Sequence, residues 1–507
     1  MTNLNKESNH QIHIDVDTNN KEFDEKSEGQ SLKSSLEKEL KAIKKHYGFI
    51  YKVSEKYRNI KEESYTPCVV SIGPLHHGKS HLQAMEGCKL RCLKQLLDEY
   101  KSETDLKKLS DFANDQETMV RACYQDFKAK EFSKMILLDG IFIITLFLQD
   151  NPRLRKVAKH VSTTLSDNSW MASDVKHDML LVENQLPFFF IESLLEQLDY
   201  RPPFPLENIF NYFKDVGITG RLEDKIPENE NPPLHLVDFL LILHTPASSV
   251  PEPGQSRDEQ SPSPTDMNPG RSRDDQTLFG RRYSRLLNLY RRRTSIPADV
   301  EPMQSHKFQF TKSTSELRQA GVCFDTLSSK ELLKVSFNKI TGQLKLPQLT
   351  VTDTTETLFR NLIAFEQSQH QKYIASYIIF IDGLINTDMD VKLLVKHGII
   401  DNKLGENQLV ADMFNNLHKE VIKDRRHFYF ADVCNDLNEY SKDFFHQFRS
   451  SCFKWKLILR NKYFNNPWSA ISFIAATILV VLAIIQTACA VAELKDQMNN
   501  SPPRSSV

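Results

Sequence analysis

The sequence has almost no net charge: 65 lysines and arginines stand against 66 aspartates and glutamates, leaving −1 over 507 residues. That balance removes any global electrostatic case for binding nucleic acid or an acidic substrate. No cleaved secretory leader is expected either, because "MTNLNKESNHQIHIDVDTNNKEFDEKSEGQ" is polar and acidic where a leader is basic and then apolar. The eight cysteines, at 68, 88, 92, 123, 323, 434, 452 and 489, include no C-x-x-C pair and no zinc-module spacing. Reduced thiols in a cytosolic compartment follow, with no metal ligands read from the pattern. No fixed-period repeat is present, which excludes a solenoid.

Glycine is sparse, 16 in all, and this bears on the most suggestive motif. "SIGPLHHGKS" matches G-x-x-x-x-G-K-[ST] through Gly73, Gly78, Lys79 and Ser80. In a phosphate loop, consecutive backbone N–H groups cradle the phosphates, and Lys and Ser hold the charge and magnesium. Asp139 at the end of "MILLD" offers a magnesium partner. Against this, the loop interior "PLHH" contains a proline without an N–H and no further glycine. The flanking chain reads as helix after helix, whereas the nucleotide fold needs a parallel sheet. The expectation is therefore no cofactor, and a tight turn feeding a helix. His76 and His77 are read as turn histidines, a role as base or metal ligand being the alternative.

Long hydrophobic runs are also rare, with one exception. "WSAISFIAATILVVLAIIQTACAV", residues 468–491, has no charged residue and matches the roughly 20 residues needed to cross a bilayer as a helix. Its anchor residues are Trp468, Ile471, Ile474, Leu479, Leu482 and Ile485. Arg449, Lys454, Lys456, Arg460 and Lys462 precede it, whereas the tail 492–507 carries only Lys495 and Arg504 as positive residues. The positive-inside bias places the N-terminal body in the cytosol, on a plasma membrane or endomembrane.

Periodicity divides the rest. Residues 1–30 have the composition of a disordered extension. A helical first half spans 31–244, including "HLQAMEGCKLRCLKQLLDEY", the buried "SKMILLDGIFIITLFLQD", and "HDMLLVENQLPFFFIESLLEQL", restarted at Pro187. Residues 245–305 are rich in Pro, Ser and Arg and read as a linker or long surface loop. Within it "LFGRRYSRLLNLYRRR" is basic and partly amphipathic, expected as a solvated segment or one lying on an anionic leaflet. The second half, 306–465, opens with a short helix ending at Gly321. "LLKVSFNKITGQLKLPQLTVTD" then reads as a β-hairpin turning at Thr341–Gly342, before helices resume. The fold class is mainly α, or α+β with a small antiparallel sheet: a large helical body and one C-terminal transmembrane helix.

Six carboxylates interrupt apolar stretches: Asp139, Asp178, Glu183, Asp238, Glu366 and Asp382. Buried acids are paired or hydrogen-bonded, or else they are protonated. Without a nucleophile motif or clustered histidines, a packing role is favoured over acid–base catalysis, and no catalytic residue is assigned.

Taken together, the ordered motifs "YTPCVVSIGPLHHGKSHLQAMEGCKLRCL", "MILLDGIFII", "HDMLLVENQLPFFFIE", "LHLVDFLL", "SELRQAGVCF", "LPQLTVTDTTETLFRNLIAFEQ", "DVKLLVKHGIIDNKLG" and "YFNNPWSAISFIAATILVVLAIIQT" resemble the plant DUF247 family, also called UPF0481. The resemblance runs from about Ile50 to Thr487. It implies a plant protein with a C-terminal membrane helix and no established enzymatic activity. Because some members are implicated in pollen self-recognition in grasses, it also implies a protein partner beside the lipid bilayer; the charge balance argues for no nucleic acid. Where the family commonly has Cys and Glu after the glycine of "MILLDG", this chain has Ile and Phe. The alternative reading is a membrane-associated enzyme or nucleotide-dependent switch using residues 73–80.

Overall fold

The computed structural model describes residues 34, 48–100, 103–125, 130–148, 169–198, 206–214, 232–246, 278–294, 310–329, 331–421, 428–442 and 467–499. The chain divides into two units, Met1–Tyr47 and Gly48–Val507. In the first, only Ser34 is described, as helical. The expected extension 1–30, most of the helix expected at 31–46, the basic flank 449–462 and the tail from 500 lie outside the described residues.

The first half of the second unit is helical: α1 (Glu55–Arg58), α2 (Gln83–Tyr100), α3 (Glu103–Arg121), α4 (Phe132–Phe147), α5 (Ser169–Met179), α6 (Phe188–Gln197), α7 (Leu206–Phe213) and α8 (Leu236–His244). Apart from Lys134, every residue of α4 is buried. It is apolar nearly all round, as a central core helix must be, and α2, α3, α6 and α7 pack around it. Gly140 permits the close approach of α6: a Cβ there would lie 2.7 Å from Leu194 Cδ2.

Helix α9 (Leu278–Thr294) corrects the reading of 245–305. This segment is not a free loop: Leu286 and Leu289 are buried and α9 packs on α6, while Arg281, Arg285, Arg291 and Arg292 stay exposed. Arg293 Nη1 reaches Asp238 Oδ1 at 2.7 Å and Oδ2 at 2.8 Å. Composition hid the helix, since prolines and serines on either side dominate the window.

The second half begins with α10 (Thr314–Gln319), capped reciprocally by Ser313 and Glu316. There follow β1 (Cys323–Leu327), β2 (Ser336–Asn338), β3 (Gln343–Pro347), β4 (Leu349–Val351), α11 (Thr355–Glu366), α12 (Tyr373–Leu384), α13 (Asp388–Lys396), β5 (Ile400–Asn402), α14 (Asn407–Leu417) and α15 (Ala431–Lys442). Strands β2 and β3 form the expected antiparallel pair, Phe337 opposite Leu344. The sheet is nevertheless mixed, because β1 lies parallel to the other edge of β3, with Phe324 beside Leu344. A bond from Cys323 N–H to Gly342 O, 2.8 Å, sets that register. A second, two-stranded sheet pairs β4 with β5 in parallel.

Helix α11 ties the halves together. It packs on both α8 and α12. Asn361 donates to Ser64 O at 2.8 Å and accepts from Val182 N–H at 2.8 Å, while Tyr51 donates to Ala364 O at 2.9 Å.

Candidate functional site

The stretch 68–73 belongs to no strand, yet its N–H groups are paired as fully as a strand's. Cys68, Val69 and Val70 donate to Asp178 at 2.7, 2.7 and 2.8 Å. Ile72 donates to Asn184 Oδ1 and Gly73 to Asp139 Oδ2, both at 2.7 Å. In return Asn184 Nδ2 donates to Val70 O at 3.0 Å, and Lys89 Nζ to Ser71 O at 2.5 Å. Side chains of α2, α4 and the end of α5 thus replace a neighbouring strand. Hydrogen bonds to charged groups are worth about 1.5–3 kcal/mol each, so three to Asp178 make a strong staple.

This arrangement answers the phosphate-loop motif. Gly73 has the positive φ of 70° that such a turn needs, and a Cβ there would sit 2.6 Å from Gln185 O. Its N–H is aimed at Asp139, however, and Lys89 Nζ lies 2.5 Å from Asp139 Oδ1. Burial alone would lower the Lys89 ammonium, but Asp139 and Glu86 outweigh it and hold it above its ordinary value. Asp139 is therefore occupied as a structural counter-ion and not offered to magnesium. Further along the loop, His77 and Lys79 N–H groups donate to Pro74 O and His76 O at 3.3 and 3.4 Å.

The sequence "ENQLP" breaks helix between α5 and α6, and its side chains repair the break. Gln185 Nε2 donates to Met179 O and Leu181 O at 2.9 and 2.8 Å. Glu183 is wholly buried. It accepts from Val53 N–H at 2.7 Å and from Arg58 Nη2 at 2.5 Å, and His76 Nε2 lies 3.0 Å from its Oε2. Burial holds the His76 imidazole below its ordinary value against the opposing pull of Glu183. His76 Nδ1 has no hydrogen-bond partner among the described residues. The two histidines part company here: His76 is buried and His77 exposed.

His76, Arg58 and Lys79 open onto a polar cavity of about 560 Å³ that Lys52, Lys61, Glu55 and Glu62 also line. Lys79, the lysine of the motif, thus faces this cavity, whereas the ammonium beside Asp139 is that of Lys89. This cavity was not legible in the sequence. Arg58 and His76 were scattered polar residues there, and only the fold brings them to one carboxylate.

The sequence model of DUF247, described as "Plant protein of unknown function", matches residues 50–482. The chain belongs to this family. A UPF0481 protein of Arabidopsis thaliana is 27% identical over 468 residues, covering 90% of this chain and 89% of that protein. A putative UPF0481 protein of the same plant is 24% identical over 516 residues, covering 92% and 94%. No solved structure matches.

The remaining acids of this DUF247 protein lie apart from the cavity. Asp238 pairs with Arg293 and accepts from Leu234 N–H at 2.8 Å. Glu366 accepts from Ile374 and Ala375 N–H, 2.9 Å each, and Asp382 Oδ2 lies 3.1 Å from His418 Nδ1. At the far end α16 (Pro467–Asn499) contains a 20-residue stretch, Ile474–Glu493, with a mean hydropathy of 2.5 and none of it buried. It is long and apolar enough to cross a membrane. Ile471, Ile474, Leu479, Leu482 and Ile485 are all exposed along it, and Trp468 falls in its first turn.

Proposed function

We propose that this DUF247 protein is a membrane-held recognition module: a helical body on the cytosolic face of a plasma membrane or endomembrane, tethered by α16, that binds another protein. The observation that carries the reading is how its buried acids are used. Asp139, Asp178, Glu183, Asp238 and Glu366 each hold backbone N–H groups in place, three of them beside an internal cation. Acid–base chemistry needs a carboxyl free to meet substrate, and these five are spent on architecture. Recognition then falls to surface groups. Lys52 and Lys79 line the polar cavity and form no ion pair among the described residues, which suits an acidic segment of a partner.

The test is proximity labelling in plant cells by the full chain fused to a labelling enzyme, compared with Lys52→Glu combined with Lys79→Glu. The expected result is a set of labelled proteins that disappears on charge reversal, while a fusion of α16 alone never labels it. An unchanged set would overturn the cavity as the recognition surface. Micromolar ATP or GTP binding abolished by Lys79→Ala would establish a nucleotide switch instead.

A further inference from the structure

We infer that Cys68, His177 and Asp178 form a zinc site. Cys68 is remote in sequence from the adjacent His177 and Asp178, and no cysteine–histidine spacing announces the set, yet the fold brings one ligand atom from each within 4.8 Å of the others. Cys68 is exposed, His177 half-buried and Asp178 buried. This is the gradient expected of a site whose inner ligand is fixed and whose outer ligand is open to an arriving ion.

The geometry of the inner pair fits the ion. His177 Nδ1 and Asp178 Oδ1 are 3.3 Å apart. A zinc tetrahedron drawn with bonds of about 2.0–2.1 Å to nitrogen and oxygen has an edge of about 3.3–3.4 Å. His177 Nε2 lies 3.2 Å from Thr357 Oγ1, the outer hydrogen bond that orients a ligating imidazole. With the proton on Nδ1 the inner contact is a hydrogen bond to Asp178; with the proton on Nε2, donated to Thr357, the Nδ1 lone pair is open to a cation that takes that proton's place. Asp178 itself is immobilised by the three N–H donors of residues 68–70.

The ligand set selects the metal class. Thiolate plus imidazole disfavours magnesium and calcium and suits zinc among divalent ions. On binding, the Cys68 S–H bond breaks, its proton passes to solvent, and the sulfur lone pair forms the metal bond, with no change of oxidation state. The ion would lock the segment carrying residues 68–73 to α5 a second time, beside the Asp178 staple.

The test uses the full chain in detergent, stripped with chelator and titrated with Co²⁺ alone. The expected signal is a near-ultraviolet thiolate-to-cobalt band with intense visible bands of tetrahedral cobalt, displaced by Zn²⁺. Cys68→Ser should abolish the thiolate band, whereas Cys323→Ser and Cys489→Ser, at the other exposed thiols among the described residues, should leave it intact. Thr357→Val should weaken binding about 10–100-fold. As a readout on the unaltered chain, Zn²⁺ should protect Cys68 from alkylation, scored by mass spectrometry. Absence of the band, its survival in Cys68→Ser, or unprotected Cys68 would overturn the site.

Discussion

Glu366 holds its proton at a pH where an exposed glutamate has released it. Burial pushes it up to about 7 from the ordinary 4.5, although N–H groups at the start of α12 favour the ionised form. Between pH 4.5 and 7 the folded protein keeps a proton that the unfolded chain has lost. The contribution of Glu366 to stability is therefore fully present below 4.5 and is lost as pH rises through that window, by on the order of 3 kcal/mol. His235 acts in the opposite sense: burial lowers it to about 4, so its contribution is present above 6.5 and fades as pH falls toward 4. Glu366→Gln isolates the first effect. Melting temperature plotted against pH should lose its decline between 4.5 and 7 in the variant, and parallel curves for the two proteins would show that Glu366 is ionised throughout. At this scale the sequence was partly legible. Acids set in apolar runs marked Asp139, Asp178, Glu183, Asp238 and Glu366 as structural. Their partners were not, because Arg58 meets Glu183 across 125 positions and Val70 meets Asp178 across 108, beyond any local pattern.

Among the elements, α9 shows how magnitudes separate two superficially similar ion pairs. Arg293 meets Asp238 with side-chain exposures of 13% and 0%, whereas Arg282 meets Glu196 at 27% and 40%. Removing one partner of a buried pair leaves an uncompensated charge and costs about 3–5 kcal/mol. An exposed pair is worth about 0–1 kcal/mol. In urea denaturation, Arg293→Met should therefore lower the midpoint strongly and Arg282→Met barely. Equal effects would mean that α9 is not fastened through Asp238. A signal for α9 was present in the sequence: Tyr283, Leu286 and Tyr290 recur at helical spacing, and their stripe is what packs. The same kind of cue made the β2–β3 hairpin legible through its Thr341–Gly342 turn. Strand β1 had no such mark, since parallel pairing to β3 depends on where α10 ends.

For the molecule as a whole, the proposed attachment rests on α16. Its 33 residues make a rod about 50 Å long, against roughly 30 Å of hydrocarbon, so helix would project beyond the apolar layer. A chain ending at Asn466 should stay in the aqueous phase on detergent partitioning and carbonate extraction, with the full chain in the membrane fraction. Sedimentation of the truncated chain with membranes would assign anchoring elsewhere.

The bonds that Asn361 makes to Ser64 and Val182 also impose an order in time. At about 5–20 residues per second of synthesis, Asn361 follows Ser64 from the ribosome after roughly 15–60 s. Until then the Ser64 carbonyl and the Val182 N–H have only water for partners, and the apolar faces that α11 covers stay open. The first half thus leaves that apolar surface uncovered until the second half arrives to close it.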